Sequence, residues 1–150
     1  MAHKLEPVMT VNELTVLLAD TFPQAFSLPS PFCVTEVFPS GAVLRLDPDD
    51  SHLRHGGTVS GPTMFALADI AGYVAILAHV GPATATVSTN VNINFLRKPQ
   101  PKPLQARASI LKLGRQLVVT DILISSVDDG EILAHATATY SMPPKKGLAA

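Results

Sequence analysis

A chain of 150 residues is enough for one domain with a real core, and 47% hydrophobic content against 15% charged is lean cover for a small monomer. That balance implies an oligomer, and a formal net charge of -1 offers no electrostatic footprint for nucleic acid. Cys33 is the only cysteine, which excludes an intrachain disulfide and a cysteine-based zinc site; a buried, inert thiol in a reducing, cytoplasmic setting is the simplest expectation.

The chain reads as a single domain, 1–150, in which 1–31 is an N-terminal helix with a proline-rich lead-in and no apolar signal-peptide core. Val11, Leu14, Leu17 and Leu18 recur at helical spacing, with Thr10 placed to cap the helix and Glu13 three residues on as its capping-box partner. Pro23, Pro29 and Pro31 then break helix and lead into an extended pair, Phe32 to Phe38 and Ala42 to Asp47, joined by a turn at Pro39-Ser40-Gly41. Asp47 to Arg54 is a polar loop.

From about Pro62 to His79 the apolar residues cover nearly the whole helix circumference, which marks a core helix. Ser60 or Gly61 can cap it, Pro62 suits its first turn, and Gly81-Pro82 ends it. The run is near the lower length limit for a membrane span, but it carries Asp69 and is followed by half-polar strands, so no membrane crossing is expected. Thr84 to Leu96 alternates, with Val87, Thr89, Val91, Ile93 and Phe95 on one face and Ser88, Asn90, Asn92 and Asn94 on the other. Leu104 to Leu113, Gln116 to Val127 and Glu131 to Met142 follow as strands, the last two joined by an Asp128-Asp129-Gly130 turn, and Lys145-Lys146 reads as a frayed tail. Two strands, one buried helix and four meandering strands predict an α+β fold, a curved antiparallel sheet wrapped around one central helix.

Asp69 is the only formally charged side chain between Arg54 and Arg97, so its place in an apolar helix needs a reason. A helix N-terminus presents unpaired N–H groups and the positive end of the macrodipole, which stabilise negative charge developing on a carbonyl oxygen. Gly61 lets a substrate approach that tip, and Asp69 lies about two turns further on. A thioester carbonyl against the Gly61 N–H would leave Asp69 to activate a water or to attack directly, with no metal or other cofactor needed. His55 is a loop imidazole or an acid/base group near neutral pH. His52 and His55 lack a third metal ligand, His79 and His135 read as structural, and Ser60 lacks the surroundings of a serine nucleophile.

Gly56 to Ala71, with its Leu-Ala-Asp segment, resembles the helix entrance of the hotdog-fold, PaaI-like acyl-CoA thioesterases, and Asn92 to Pro99 is similar to that family's next strand. The resemblance covers about Phe32 to Met142. It implies a homodimer or a dimer of dimers acting on acyl-CoA, with two sites at the dimer interface and no cofactor. Asp69 then matches the family's helix carboxylate, acting as base or nucleophile, and Gly61 the glycine whose N–H polarises the thioester. Ser88 or Thr89, beside Asn90, would come from the partner subunit to place the water, and Arg97 and Lys98 would meet the nucleotide phosphates. In that family a His-Gly-Gly triplet directly precedes the helix, whereas Ser60-Gly61-Pro62 stands there in this chain and His55-Gly56-Gly57 lies five residues earlier. Either Ser60 takes over that place or the longer loop folds His55 back toward the site. Related hotdog dehydratases of 3-hydroxyacyl thioesters pair a loop histidine with a helix acid, which makes His55 and Asp69 a rival assignment. A non-catalytic acyl-CoA binding or sensor module is a third.

Overall fold

The computed structural model describes residues 4–27 and 29–144; Lys145 and Lys146 lie outside the described residues. Helix α1 spans Val11–Thr21 and starts with the expected capping box: Thr10 Oγ1 accepts from the Glu13 N–H at 3.1 Å and Glu13 Oε1 from the Thr10 N–H at 3.0 Å. It buries Leu14 and Leu18 completely and runs on through Phe22 into a single turn, α2, Pro23–Phe26. The arm is tied down by backbone bonds from Val8 and Met9 to the Ala78 carbonyl, 2.7 and 3.2 Å, and by the exchange of bonds between Leu5 and Ser40.

Strands β1, Phe32–Phe38, and β2, Gly41–Leu46, form a hairpin whose turn places Ser40 at φ 67, the left-handed region. Cys33 is exposed on β1, against the expectation of a buried thiol: it alternates with Val34, which takes the core position at 3% exposure. The polar loop after β2 contains one 3₁₀ turn, Asp50–His52. Helix α3, Gly61–Val80, follows, capped by the Ser60 side chain at its start and by Gly81, φ 95, at its end.

The remaining strands are β3, Val87–Phe95, β4, Leu104–Leu113, β5, Leu117–Ser126, and β6, Ile132–Ser141. All pairings are antiparallel, in the order β1-β2-β4-β5-β6-β3. Only β4, β5 and β6 meander. The expected direct step from β3 to β4 is replaced by a crossing through residues 96–103, whose prolines cannot donate to a ladder, so β3 ends up at the far edge beside β6.

The sheet curls around α3, the hotdog arrangement that the motif resemblance implied. Small residues on the inner face make this wrapping possible. Ala106 and Ala108 on β4 and Ala134, Ala136 and Ala138 on β6 flank the larger Val118, Ile122 and Ile124 of β5, giving a trough in which the helix sits close. Leu67, Ala68, Ala71, Val74, Ala75 and Leu77 of α3 fill it at 0–1% exposure. Each fully buried Leu or Ile contributes about 1.5–3 kcal/mol. α3 is long and apolar enough to cross a membrane by length and composition, yet most of it is enclosed by this sheet.

The face pattern of β3 also differs from the simple alternation. A bulge at Thr89 interrupts the pairing with β6: Ser88 opposes Tyr140 and Asn90 opposes Thr139, so Thr89 is the surplus residue. Because Tyr140 points into the core, Ser88 shares the inner face with Val91 and Ile93, while Asn90 stays outside. The period-two reading grouped Ser88 with Asn90; one inserted residue separates them.

Candidate active site

Asp69 sits half-buried on α3 between the buried Ala68 and Ile70, at a cleft of about 340 Å³. Ser88, Tyr140, Tyr73, Thr84 and Phe22 share the wall. Burial pushes the Asp69 carboxyl above its ordinary value, and the Ser88 and Tyr140 hydroxyls beside it hold that rise back by favouring the anion. Tyr140 is 1% exposed, and its Oη donates to the Asp69 backbone carbonyl at 2.6 Å. Burial, then the neighbouring Asp69 charge, drives the Tyr140 phenol far upward, so it stays a neutral donor. Tyr73, one turn beyond Asp69, donates to the Thr84 carbonyl at 3.0 Å.

Gly72 explains how Tyr140 gets so close. A Cβ there would overlap the Tyr140 hydroxyl, so only glycine, one turn beyond Asp69, lets the phenol reach the Asp69 carbonyl. A glycine inside an apolar helix was the one available signal for that approach. Tyr140 and Phe22 were not identified from sequence, because they meet Asp69 only through the packing of β6 on α3 and the docking of the N-terminal arm; Tyr73, four residues after Asp69 on the same helix, was legible from helical spacing and was missed.

Gly61 lies in a different cleft, of about 310 Å³, lined by Val59, Met64, Phe95 and Leu96 with Arg54, Arg97 and Lys98. The helix tip there has one donor to offer. Pro62 has no N–H, Thr63 donates to Ser60 Oγ at 3.2 Å and Met64 to the Ser60 carbonyl at 3.1 Å, which leaves the Gly61 N–H ahead of the first intrahelical acceptor. Ser60 is thus occupied as the cap, its hydroxyl also 2.8 Å from that of Thr63. A Cβ on Gly61 would stand 3.5 Å from the Phe95 ring, an ordinary contact, so what glycine provides is open approach.

The expected residues are therefore divided. Ser88 joins Asp69 within the same chain. Gly61, Arg97 and Lys98 gather at the helix tip, together with Arg54, which had not been singled out. Thr89, at the bulge, donates to the Thr139 carbonyl at 3.2 Å, and Asn90 lies exposed on the outer face. His55 is exposed in a turn closed by the Leu53–Val59 bridge, with Gly56 at φ 107 and Gly57 at φ 86, and it lines neither cleft. His52 Nδ1 accepts from the Asp49 N–H at 2.9 Å. Among the described residues no group of three His, Cys, Asp or Glu side chains is placed to hold a metal ion.

Comparison with known proteins adds to this geometry. Residues 56–133 match the thioesterase superfamily, a stretch that contains both clefts' central residues, Asp69 and Gly61. No curated protein matches the chain by sequence. Among solved structures, a candidate thioesterase from a Silicibacter species is 39% identical, with 95% of this chain and 97% of that one aligned at a TM-score of 0.82. The phenylacetic acid degradation protein PaaI of Thermus thermophilus aligns at TM-score 0.65 and 24% identity over 73% and 91% of the two chains. A Streptococcus mutans protein bound to acetyl-CoA aligns at TM-score 0.65 and 22% identity over 75% and 89%. These last two share the fold.

Proposed function

The chain belongs to the thioesterase superfamily, and from that premise we propose that it hydrolyses acyl-CoA thioesters at a site completed by a second copy of itself. The observation that carries this reading is the relation of the two clefts to β3. Val87 and Ser88, at one end of that strand, line the Asp69 cleft; Phe95, at the other end, lines the Gly61 cleft. β3 is one of the two edge strands, the one that borders both clefts; its outer edge is unpaired among the described residues, and it is exposed along most of its length. Pairing it antiparallel with its own copy about a two-fold axis sets the Ser88 end of one strand against the Phe95 end of the other. The Asp69 cleft then faces the partner's helix tip, twice over.

In that assembly the thioester carbonyl lies against the Gly61 N–H of one copy and beside the Asp69 carboxylate of the other. Asp69 takes a proton from water as the water oxygen bonds to the carbonyl carbon, and the resulting oxyanion is held by the Gly61 N–H and the positive end of α3. Collapse breaks the C–S bond, and the thiolate leaves with the proton that Asp69 returns. Direct attack by the carboxylate expels the thiolate, which takes up a solvent proton, and gives an acyl anhydride that water then cleaves at the Asp69 carboxyl carbon. Single turnover in labelled water separates the two, since only the second leaves label in Asp69. Arg54, Arg97 and Lys98 offer charge to the CoA phosphates, and the apolar slot of Val59, Met64 and Leu96 offers a path to the pantetheine arm. The dehydratase alternative relies on His55, which lines neither the Asp69 cleft nor the Gly61 cleft that a second copy would present to it, so hydrolysis is the better-supported reading. A reducing cytoplasm suits the unpaired Cys33.

The decisive experiment mixes two inactive variants. Asp69→Asn removes the base, and Gly61→Pro removes the donor N–H at a position where Ser60, φ -73 and ψ 155, already has the backbone of a residue preceding proline. Co-refolded in equal amounts, they should regain about one quarter of the wild-type thiol release, because half the dimers are mixed and each mixed dimer holds one intact site. Absence of any recovery, with mixed dimers demonstrated, overturns the shared site.

A further inference from the structure

We infer that Phe22, carried on the N-terminal arm, closes the acyl end of the Asp69 cleft and restricts this enzyme to compact acyl groups, excluding long chains. The inference rests on the thioester reading above. It concerns a residue outside the stretch that matches the superfamily, 56–133.

Three observations place the wall. Thr21 and Phe22 line the same cleft as Asp69, so the arm covers the site as well as the core. The Phe22 ring meets Tyr73 edge-on, centroids 6.3 Å apart at 87°, and is backed by Phe26 at 5.8 Å. Tyr73 follows Asp69 by four residues, which leaves roughly 6 Å along the helix before the aromatic pair. An acyl chain running from the Asp69 carboxylate along α3 meets two rings after a few carbons.

The wall is fixed in place. The Phe22 N–H donates to Leu18 at 2.8 Å, the Phe26 N–H to Phe22 at 3.0 Å, and Leu18 and Phe26 anchor the segment in the core at 0% and 6% exposure. Tyr73 is held by its bond to the Thr84 carbonyl. The lining is also mixed: Ile70 and Val87 are apolar, whereas Thr21, Thr84 and Ser88 bring hydroxyls. A methylene chain laid along that mixed lining gains less from burial than it would against an all-apolar wall. A short acyl group ends before the rings.

The test compares wild type with Phe22→Ala and the milder Phe22→Leu across acetyl-, butyryl-, hexanoyl-, decanoyl- and palmitoyl-CoA, alongside binding of the non-hydrolysable thioethers S-butyl-CoA and S-decyl-CoA. Wild-type kcat/KM should fall at least about tenfold between hexanoyl- and decanoyl-CoA, and Phe22→Ala should raise the decanoyl value about tenfold while changing the butyryl value less than about threefold. Phe22→Leu should show the same trend more weakly, which keeps the test alive if the alanine variant unfolds. In calorimetry, wild type should bind S-butyl-CoA and reject S-decyl-CoA, and the variants should accept both. Equal chain-length profiles in wild type and variants, equal binding of S-decyl-CoA, or binding of neither thioether overturns the inference. If the binding pattern holds but no acyl-CoA releases thiol, the wall stands and the hydrolytic reading falls.

Discussion

The two clefts divide the chemistry between opposite characters. Among the described residues, the Asp69 cleft holds an anion, neutral hydroxyls and aromatic rings with no cation in its lining, and the Gly61 cleft holds a helix tip, three cations and an apolar slot with no carboxylate in its lining. On the proposed reading, each is half of a hydrolytic site. On that reading the separation teaches why a single copy of this chain would be inactive: the proposed base and oxyanion donor stand at opposite ends of one edge strand, and a second copy would bring unlike ends together.

The largest effect should come from removing the base. Asp69→Asn should lower kcat for thiol release by about 10²–10⁴ with little change in acyl-CoA binding. Gly61→Pro should cost about 10²–10³ in kcat as the donor is lost, again in a folded protein. If either variant alone acted on KM, the assignment of chemistry to these two ends would fail.

The pH profile sharpens the contrast. Asp69 must be charged to act as a base, so kcat/KM should fall on the acid side, with its midpoint above the ordinary carboxylate value of 3.8 because burial raises this group. Ser88→Ala removes a hydroxyl that favours the anion and should move that limb further toward neutral pH. Stability has the opposite sign. A carboxyl raised in the folded state contributes most at pH below its unfolded value and loses that contribution as pH rises through its folded value. Asp69→Asn should therefore melt higher than wild type at neutral pH, where 1 kcal/mol is about 2–4 °C for a chain of this size.

Gly72→Ala should be mainly a structural lesion. Its Cβ forces Tyr140 away from the helix, at a cost of about 1–3 kcal/mol, and should lower Tm by several degrees with a smaller loss of turnover. The smallest effect is expected at the outer sheet face, where His135 Nε2 lies 2.6 Å from Asp121 Oδ1 with both side chains about 40% exposed. His135→Ala should change stability by less than about 1 kcal/mol and leave the rate untouched.

Much of this was legible in the chain. The Thr10–Glu13 capping box, the Ser60 cap and the all-round apolar pattern of α3 are local signals, and each formed as read. Asp69 stood out because a lone charge in an apolar helix is rare. What stayed hidden depends on distant pairing. The crossing of residues 96–103 puts β3 beside β6, and with it Ser88 beside Tyr140, but nothing in the β3 pattern names its partner strand. Phe22 reached the site because Leu14 and Leu18 dock an arm whose own sequence shows only an amphipathic turn. Cys33 was misjudged because thiols are usually buried, while the strand's alternation gave that position to Val34.

The surplus residue at position 89 has a consequence for how this molecule can change. It acts as a frame shift within a strand: upstream and downstream halves are read in opposite phase, so a strictly alternating run serves the interior at Ser88 and the exterior at Asn90. Deleting Thr89 would keep both side chains on their present sides and remove only the local kink. Chain length at that point is therefore negotiable in a way that the identity of Ser88 is not, and a gap placed there when related chains are aligned marks a change of curvature, with the aim of the hydroxyl preserved.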